Sequence, residues 1–193
     1  MAGNVGGAPS EAYPASAFDF QALELTILSP DGRQTIGSTN FTVARDHSAE
    51  VIKGETSYLD GEHDNESERI VWGSGDPAPR LDTYEHWFFN ADGSPQMLDR
   101  LDTKTAIASC ARYTVDGMRV RTSRFNVARD TFAGAFSLMM VVGDLRRGIR
   151  EIKFHAFACA PGPRIFAVEA SLPLRREQWS LYRGNLVRLD SAP

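Results

Sequence analysis

The chain predicts a mainly β protein, an antiparallel curved sheet closed as a barrel or left as a half-barrel, with one main helix near residues 130–147. Three observations carry this. Asp-Gly pairs recur at Asp31-Gly32, Asp60-Gly61, Asp92-Gly93 and Asp116-Gly117, and Asp-Gly favours the positive backbone angles of tight hairpin turns. The segments between them are short and rich in β-branched and aromatic residues. One later stretch instead places its large apolar residues at helical spacing. An antiparallel sheet of roughly seven to ten strands is expected from the turn signals.

The elements follow in order. The opening MAGNVGGAPSEAYPAS is small, polar and proline-containing, and reads as a flexible arm over residues 1–17, before a single β-rich domain over 18–193. LELTILSP runs into the Asp31-Gly32 turn. RQTIGSTNFTVARD and EVIKGETSYLD follow, joined at Asp46-His47-Ser48, where His47 is expected to be solvated. TYEHWFF is apolar on both faces and suits a central strand. TAIASCARYTV and MRVRTSRFNV flank Asp116-Gly117 as a hairpin. DTFAGAFSLMMVVGDLRRG offers Asp130 or Thr131 as N-cap and Gly148 as terminator, with Phe132, Phe136 and Met139 on one helical face. Arg146 and Arg147 suit the negative end of its dipole. REIKFHAFACA and RIFAVEASL flank Pro161-Gly162-Pro163, and EQWSLYRGNLVRL supplies a last strand. FTVARD at 41–46 recurs as FNVARD at 125–130, an echo too short to outweigh chance.

Composition narrows the function classes. The chain has 193 residues and a net charge of −4, which gives no reason to expect nucleic-acid binding. No apolar run approaches the roughly 20 residues of a membrane-spanning helix. There is no basic, apolar-cored leader, so the chain as written reads as cytoplasmic, or as exported if Met1 replaces a removed leader. The oligomeric state is left open. Cys110 and Cys159 stand far apart without a CxxC partner. Two buried thiols are the default, with a disulfide or a nucleophile as alternatives.

The most conspicuous stretch is YLDGEHDNESERIVW, with Asp60, Glu62, Asp64, Glu66 and Glu68 at every second position. In an extended chain these carboxylates share a face. Like charges on one face repel, so the stretch is expected to be a wet ribbon, largely exposed or opposite arginines such as Arg119 and Arg121. Charge is also divided along the chain: residues 1–97 hold 16 acids and 5 bases, the remainder 9 acids and 16 bases. A metal site built on Asp60, Glu62, His63 and Asp64 is the weaker reading, because an EF-hand loop needs its glycine at the sixth position and zinc wants a tighter His/Cys set. No cofactor is implied: GxGxxG, P-loop, GxSxG and HExxH patterns are absent from the sequence. His155 is expected to be a hydrogen-bonded core histidine, and His86, among Tyr84, Trp87, Phe88 and Phe89, is the best placed for function.

The strand pattern, followed by FSLMMVVGDLRRG and a strand ending in a Pro-Gly turn, resembles that of uncharacterised bacterial β-rich proteins similar in plan to lipocalin-like and lipoprotein-carrier half-barrels. That resemblance implies a curved sheet holding an apolar ligand under a helix, and carries over no functional residue. The leading expectation is a soluble, non-enzymatic binding protein for an apolar or amphipathic small molecule, with Tyr84, His86, Trp87, Phe89, Phe136, Met139 and Met140 lining the pocket. An enzyme using the carboxylates with His63 or His86, perhaps with metal, and a protein-interaction module using the acidic ribbon or the Arg-rich late strands are the alternatives.

Overall fold

The computed structural model describes residues 22–29, 31–46, 49–72, 79–134, 136–137, 151–159, 162–171, 178–182 and 185–189. The arm, His47, Met139 and Met140 lie outside them.

The first eight strands form one antiparallel meander in chain order: β1 (Ala22–Leu28), β2 (Thr35–Asp46), β3 (Ala49–Tyr58), β4 (His63–Trp72), β5 (Pro79–Phe89), β6 (Pro95–Asp102), β7 (Ile107–Thr114) and β8 (Gly117–Arg124). The four Asp-Gly turns do their expected work, with Gly32, Gly61, Gly93 and Gly117 all at positive φ. β1 and β8 end the sheet without pairing to each other, so among the described residues it is open rather than a closed barrel. A second sheet pairs β10 (Glu151–Ala158) with β11 (Arg164–Ser171), and β9 (Thr131–Phe132) runs parallel to β10. β12 (Gln178–Tyr182) and β13 (Asn185–Leu189) make a separate hairpin. The eight strands of the large sheet fall within the seven to ten expected of it, and among the described residues the C-terminal segments add small sheets of their own.

The expected helix start is corrected. Thr131-Phe132 is extended and pairs with β10, and the described residues that follow hold only a helical turn, closed by Ser137 N–H donating to Ala133 O. The β-branched Thr131 finds a ladder partner in His155, and tertiary pairing overrides the capping signal. The part of the expected helix from residue 138 to 147 lies outside the described residues. No helix among the described residues is long and apolar enough to cross a membrane.

The core lies on one face of the large sheet. Phe41, Ile52, Ile70, Leu81, Leu101 and Ala108 point from β2–β7 toward Phe132, Phe136, Phe154 and Phe157. Phe132 stacks on Phe154 and meets Phe136 edge-on, with centroids 5.2 and 4.8 Å apart. Cys110 and Cys159 are joined as a disulfide that ties β7 to the end of β10, which replaces the expected pair of buried thiols. Arg112 reinforces the tie, donating to Asp99 Oδ1 at 2.7 Å and to Cys159 O at 2.8 Å.

Candidate functional site: a carboxylate and histidine row inside the sheet

The acidic stretch is where sequence and structure part. Asp64, Glu66 and Glu68 do share a face of β4, but it is the inner one, and Glu68 has no solvent exposure at all. The expectation of an exposed ribbon paired with Arg119 and Arg121 is therefore corrected for these three. A strand's side chains alternate, so one choice of phase places them all. Ile70 and Trp72 have the parity of the acids, whereas the other parity offers His63, Asn65, Ser67, Arg69 and only the smaller Val71. Burying Ile70 within the core turns the carboxylates inward with it. Asp60 stays in the exposed β3–β4 turn, accepting from Glu62 N–H at 3.1 Å.

Register then assembles the site. On the inner face Gly54, Glu66, His86, Asp99 and Cys110 form one row across β3 to β7. In the next row Ile52, Glu68, Tyr84 and Leu101 are neighbours, and on the other side Thr56 pairs with Asp64 and Asp64 with Phe88. A bulge at Asp82 shifts the phase of β5 so that both Leu81 and Tyr84 face inward. Gly54 makes room for this row: a Cβ there would come within 2.6 Å of the Phe41 ring and 2.8 Å of Glu66 Oε1.

Asp64 lies between two partners. Its Oδ1 is 3.4 Å from His86 Nε2, and its Oδ2 accepts from the Tyr58 hydroxyl at 3.2 Å. From above, the turn after β9 closes on the row. Phe136 N–H donates to Glu68 Oε2 at 2.7 Å. Gly134, at φ +42°, presses its backbone so near that a Cβ would overlap both Glu66 Oε2 and Glu68 Oε1. A core segment is thus anchored to the sheet by a carboxylate, inside a shell of phenylalanine rings.

The local field follows from this geometry. Burial opposes the charged form of His86, but the hydrogen bond and charge of Asp64, helped by Glu66 and Asp99, outweigh it and raise the imidazole above its ordinary range. Burial, then the charges of Glu66, Glu68, Asp99 and Asp64, hold the Tyr84 phenol well above its usual value, so Tyr84 keeps its proton. Burial raises the Asp99 carboxyl, against the opposing pull of Arg112 and His86. An imidazole held toward its charged form, a phenol that keeps its proton and a row of carboxyl groups therefore meet within one covered face.

The expected lining residues divide between the two faces. Tyr84, His86 and Phe136 come together on the inner face, all buried. Trp87 and Phe89 point outward, stacked at 6.0 Å, with Tyr113 beside Trp87, His63 against Phe89 and the Arg100 guanidinium over the indole. Alternation along TYEHWFF makes that division unavoidable. It also separates His63 from Asp64, so Asp60, Glu62, His63 and Asp64 do not converge as a ligand set. Among the described residues, the one tight group of metal-type ligand atoms is Asp99 with Cys110 and Cys159, and those sulfurs are bonded to each other. The outer face carries a groove of about 530 Å³ lined by Ser67, Thr83, Glu85, Arg100 and Ser109, with Glu85 and Arg100 paired at 2.7 Å. His155 is half-buried, its Nδ1 2.8 Å from Asp130 Oδ1, in keeping with a hydrogen-bonded structural role. Asp99, Arg112 and Gly134 belong to the site although the sequence did not single them out for it. Comparison with protein-family models, with curated proteins and with solved structures finds no match.

Proposed function

We propose that this chain is a non-enzymatic binding protein that takes an amphipathic small molecule against the inner face of the large sheet, under the turn that follows β9. The observation that carries the reading is the meeting of His86, Tyr84, Asp64, Glu66 and Glu68 on a covered face whose surroundings are phenylalanine rings. A few convergent polar groups within apolar walls are what a site for a mixed polar–apolar ligand needs. Carboxylates accept hydrogen bonds and do not donate them. The polar end of the ligand therefore brings donors, an amine or a hydroxyl, and its apolar body lies along Phe132 and Phe136. The lipocalin-like plan suggested by the strand pattern agrees with this role.

Native mass spectrometry of the purified protein, followed by organic extraction, tests the reading. A co-purifying amphipathic species whose occupancy falls in Phe136→Ala supports it; protein that is empty as purified and after incubation with long-chain amines and alcohols contradicts it. A second reading, acid–base chemistry, draws on the His86–Asp64 pair, in which a carboxylate orients and charges an imidazole. It requires chemical change in a bound molecule that His86→Gln abolishes while binding persists.

A further inference from the structure

The inner row ends in the disulfide. Cys110 Sγ, Cys159 Sγ and a carboxylate oxygen of Asp99 all lie within 4.8 Å of one another, and all three residues are buried. Asp99 faces Cys110 directly across β6 and β7, and the disulfide brings Cys159 in from the end of β10. Bonded to each other, the sulfurs are not metal ligands. Two-electron reduction would turn them into thiols, and the thiolate form of cysteine is a strong ligand for soft metals.

Contacts other than the S–S bond hold the three groups together. Cys110 sits in the ladder between β6 and β8. The carbonyl of Cys159 accepts from Arg112 Nη2 at 2.8 Å, and its Sγ lies 3.7 Å from Ser109 O. The same guanidinium donates through Nη1 to Asp99 Oδ1 at 2.7 Å. Asp99 is thus already paired, as ligating carboxylates are, and a carboxylate has about four lone-pair sites, enough to serve Arg112 and a metal together. Zinc at about 2.3 Å from sulfur and about 2.0–2.2 Å from oxygen sets tetrahedral ligand atoms roughly 3.5–3.8 Å apart. The reduced sulfurs reach that spacing by turning about their own side-chain torsions. Charge also closes: two thiolates and the Asp99 carboxylate balance a divalent cation and the Arg112 guanidinium. Neutrality matters at a buried place, since an uncompensated charge there is costly. Thiolate ligands select zinc over magnesium or calcium.

We propose that this cluster is a redox-gated zinc site: reduction of the Cys110–Cys159 disulfide by a dithiol frees a Cys-Cys-Asp ligand set for one Zn2+. The dithiol supplies two electrons and two protons and becomes a disulfide itself, leaving Cys110 and Cys159 as thiols. Zn2+ then displaces both thiol protons to solvent and binds the two thiolates and Asp99, with water in the fourth position. The tie between β7 and the end of β10 is a covalent S–S bond in the oxidised chain and an S–Zn–S bridge in the reduced one.

The test uses the untagged full chain, oxidised or reduced with dithiothreitol and freed of reductant under nitrogen, its thiols counted with a chromogenic disulfide. The reduced chain is expected to take up one Co2+ with sulfur-to-cobalt charge-transfer and tetrahedral visible bands, which stoichiometric Zn2+ bleaches; the oxidised chain gives neither. Asp99→Asn keeps an acceptor for Arg112 and should weaken zinc binding to the reduced chain by at least the tenfold that loss of a mere supporting partner causes. Zinc should raise the thermal midpoint of the reduced wild type and leave that of Cys110→Ser with Cys159→Ser unchanged. Should reduction alone unfold the chain, reduction in the presence of zinc is expected to keep its strand circular dichroism. Five results overturn the proposal: a disulfide that resists reduction in the folded chain, a reduced chain that binds no metal, cobalt bound without charge-transfer bands, equal uptake by oxidised and reduced chains, or equal zinc affinity in Asp99→Asn. A reduced chain that stays unfolded in zinc does so as well.

Discussion

Replacing Gly134 with alanine probes the contact that closes the inner site. Two costs arise, and the structure allows them to be separated. Gly134 sits at φ +42°, where an L side chain is disfavoured by about 1–2 kcal/mol. Its added Cβ would also overlap Glu66 Oε2 and Glu68 Oε1 and come within 2.9 Å of the Tyr84 ring. All three neighbours are buried, so the carboxylates have little room to withdraw. Pushing Glu68 aside breaks the bond it accepts from Phe136 N–H, and a hydrogen bond to a charged group contributes about 1.5–3 kcal/mol. The expected loss for Gly134→Ala is therefore about 2.5–5 kcal/mol. Gly93→Ala is the control. Gly93 has φ +79°, but nothing lies within 4 Å of its Cβ position, so only the backbone cost of about 1–2 kcal/mol applies. Urea denaturation of both variants beside the wild type measures the difference directly. If the two lose stability equally, to within about 0.5 kcal/mol, the carboxylates are not pressed against the turn and the closed site is wrong.

The remaining predictions concern the disulfide, the histidine and the arginine. Cys110 and Cys159 are separated by 49 residues, so replacing both with alanine is expected to cost about 4 kcal/mol in urea denaturation through loop-closure entropy, and a loss below about 1 kcal/mol would mean the cross-link constrains little. The folded-state pKa of His86 is raised above its reference value of 6.5. The stability its imidazolium contributes is thus fully present below about pH 6.5 and lost as pH rises through the folded-state value, a slope that His86→Gln should flatten. An NMR titration of the imidazole with its midpoint below 6.5 would contradict this. Arg112→Met removes the donors to Asp99 and Cys159 O, and thermal unfolding should report a loss of about 2–3 kcal/mol.

Much of the fold was legible because it is written in local turn chemistry. Each Asp-Gly pair marks a hairpin, and the segments between them are rich in β-branched and aromatic residues that suit strands. The site was legible only in fragments. His86 and Tyr84 stood out as polar groups in an apolar segment, but Trp87 and Phe89 were grouped with them, although period-two alternation sends neighbours to opposite faces. The acids of β4 were read as solvated because five like charges on one face repel. The decisive signal was Ile70 and Trp72, which share their parity and fix the phase. What turns that face from wet ribbon to interior is long-range: Gly54 clears space beside Glu66, and Gly134 and Phe136 descend on Glu66 and Glu68 from about 70 residues away in the chain. No local pattern reports such contacts. The short strand at Thr131-Phe132 was hidden for the same reason, since its partner β10 lies beyond the segment itself.

The inner face as a site for an amphipathic donor is tested most directly by isothermal titration calorimetry with three probes of equal chain length, dodecylamine, dodecanol and dodecanoate, each below its critical micelle concentration. The carboxylate row predicts that the amine binds most tightly and dodecanoate least, because a second acceptor-only, like-charged group meets Asp64, Glu66 and Glu68. Glu66→Gln with Asp64→Asn should bring the three affinities together while leaving the alkyl contribution in place. Binding of dodecanoate as tight as that of dodecylamine, or an amine preference that survives the double substitution, would contradict the proposed role of this face.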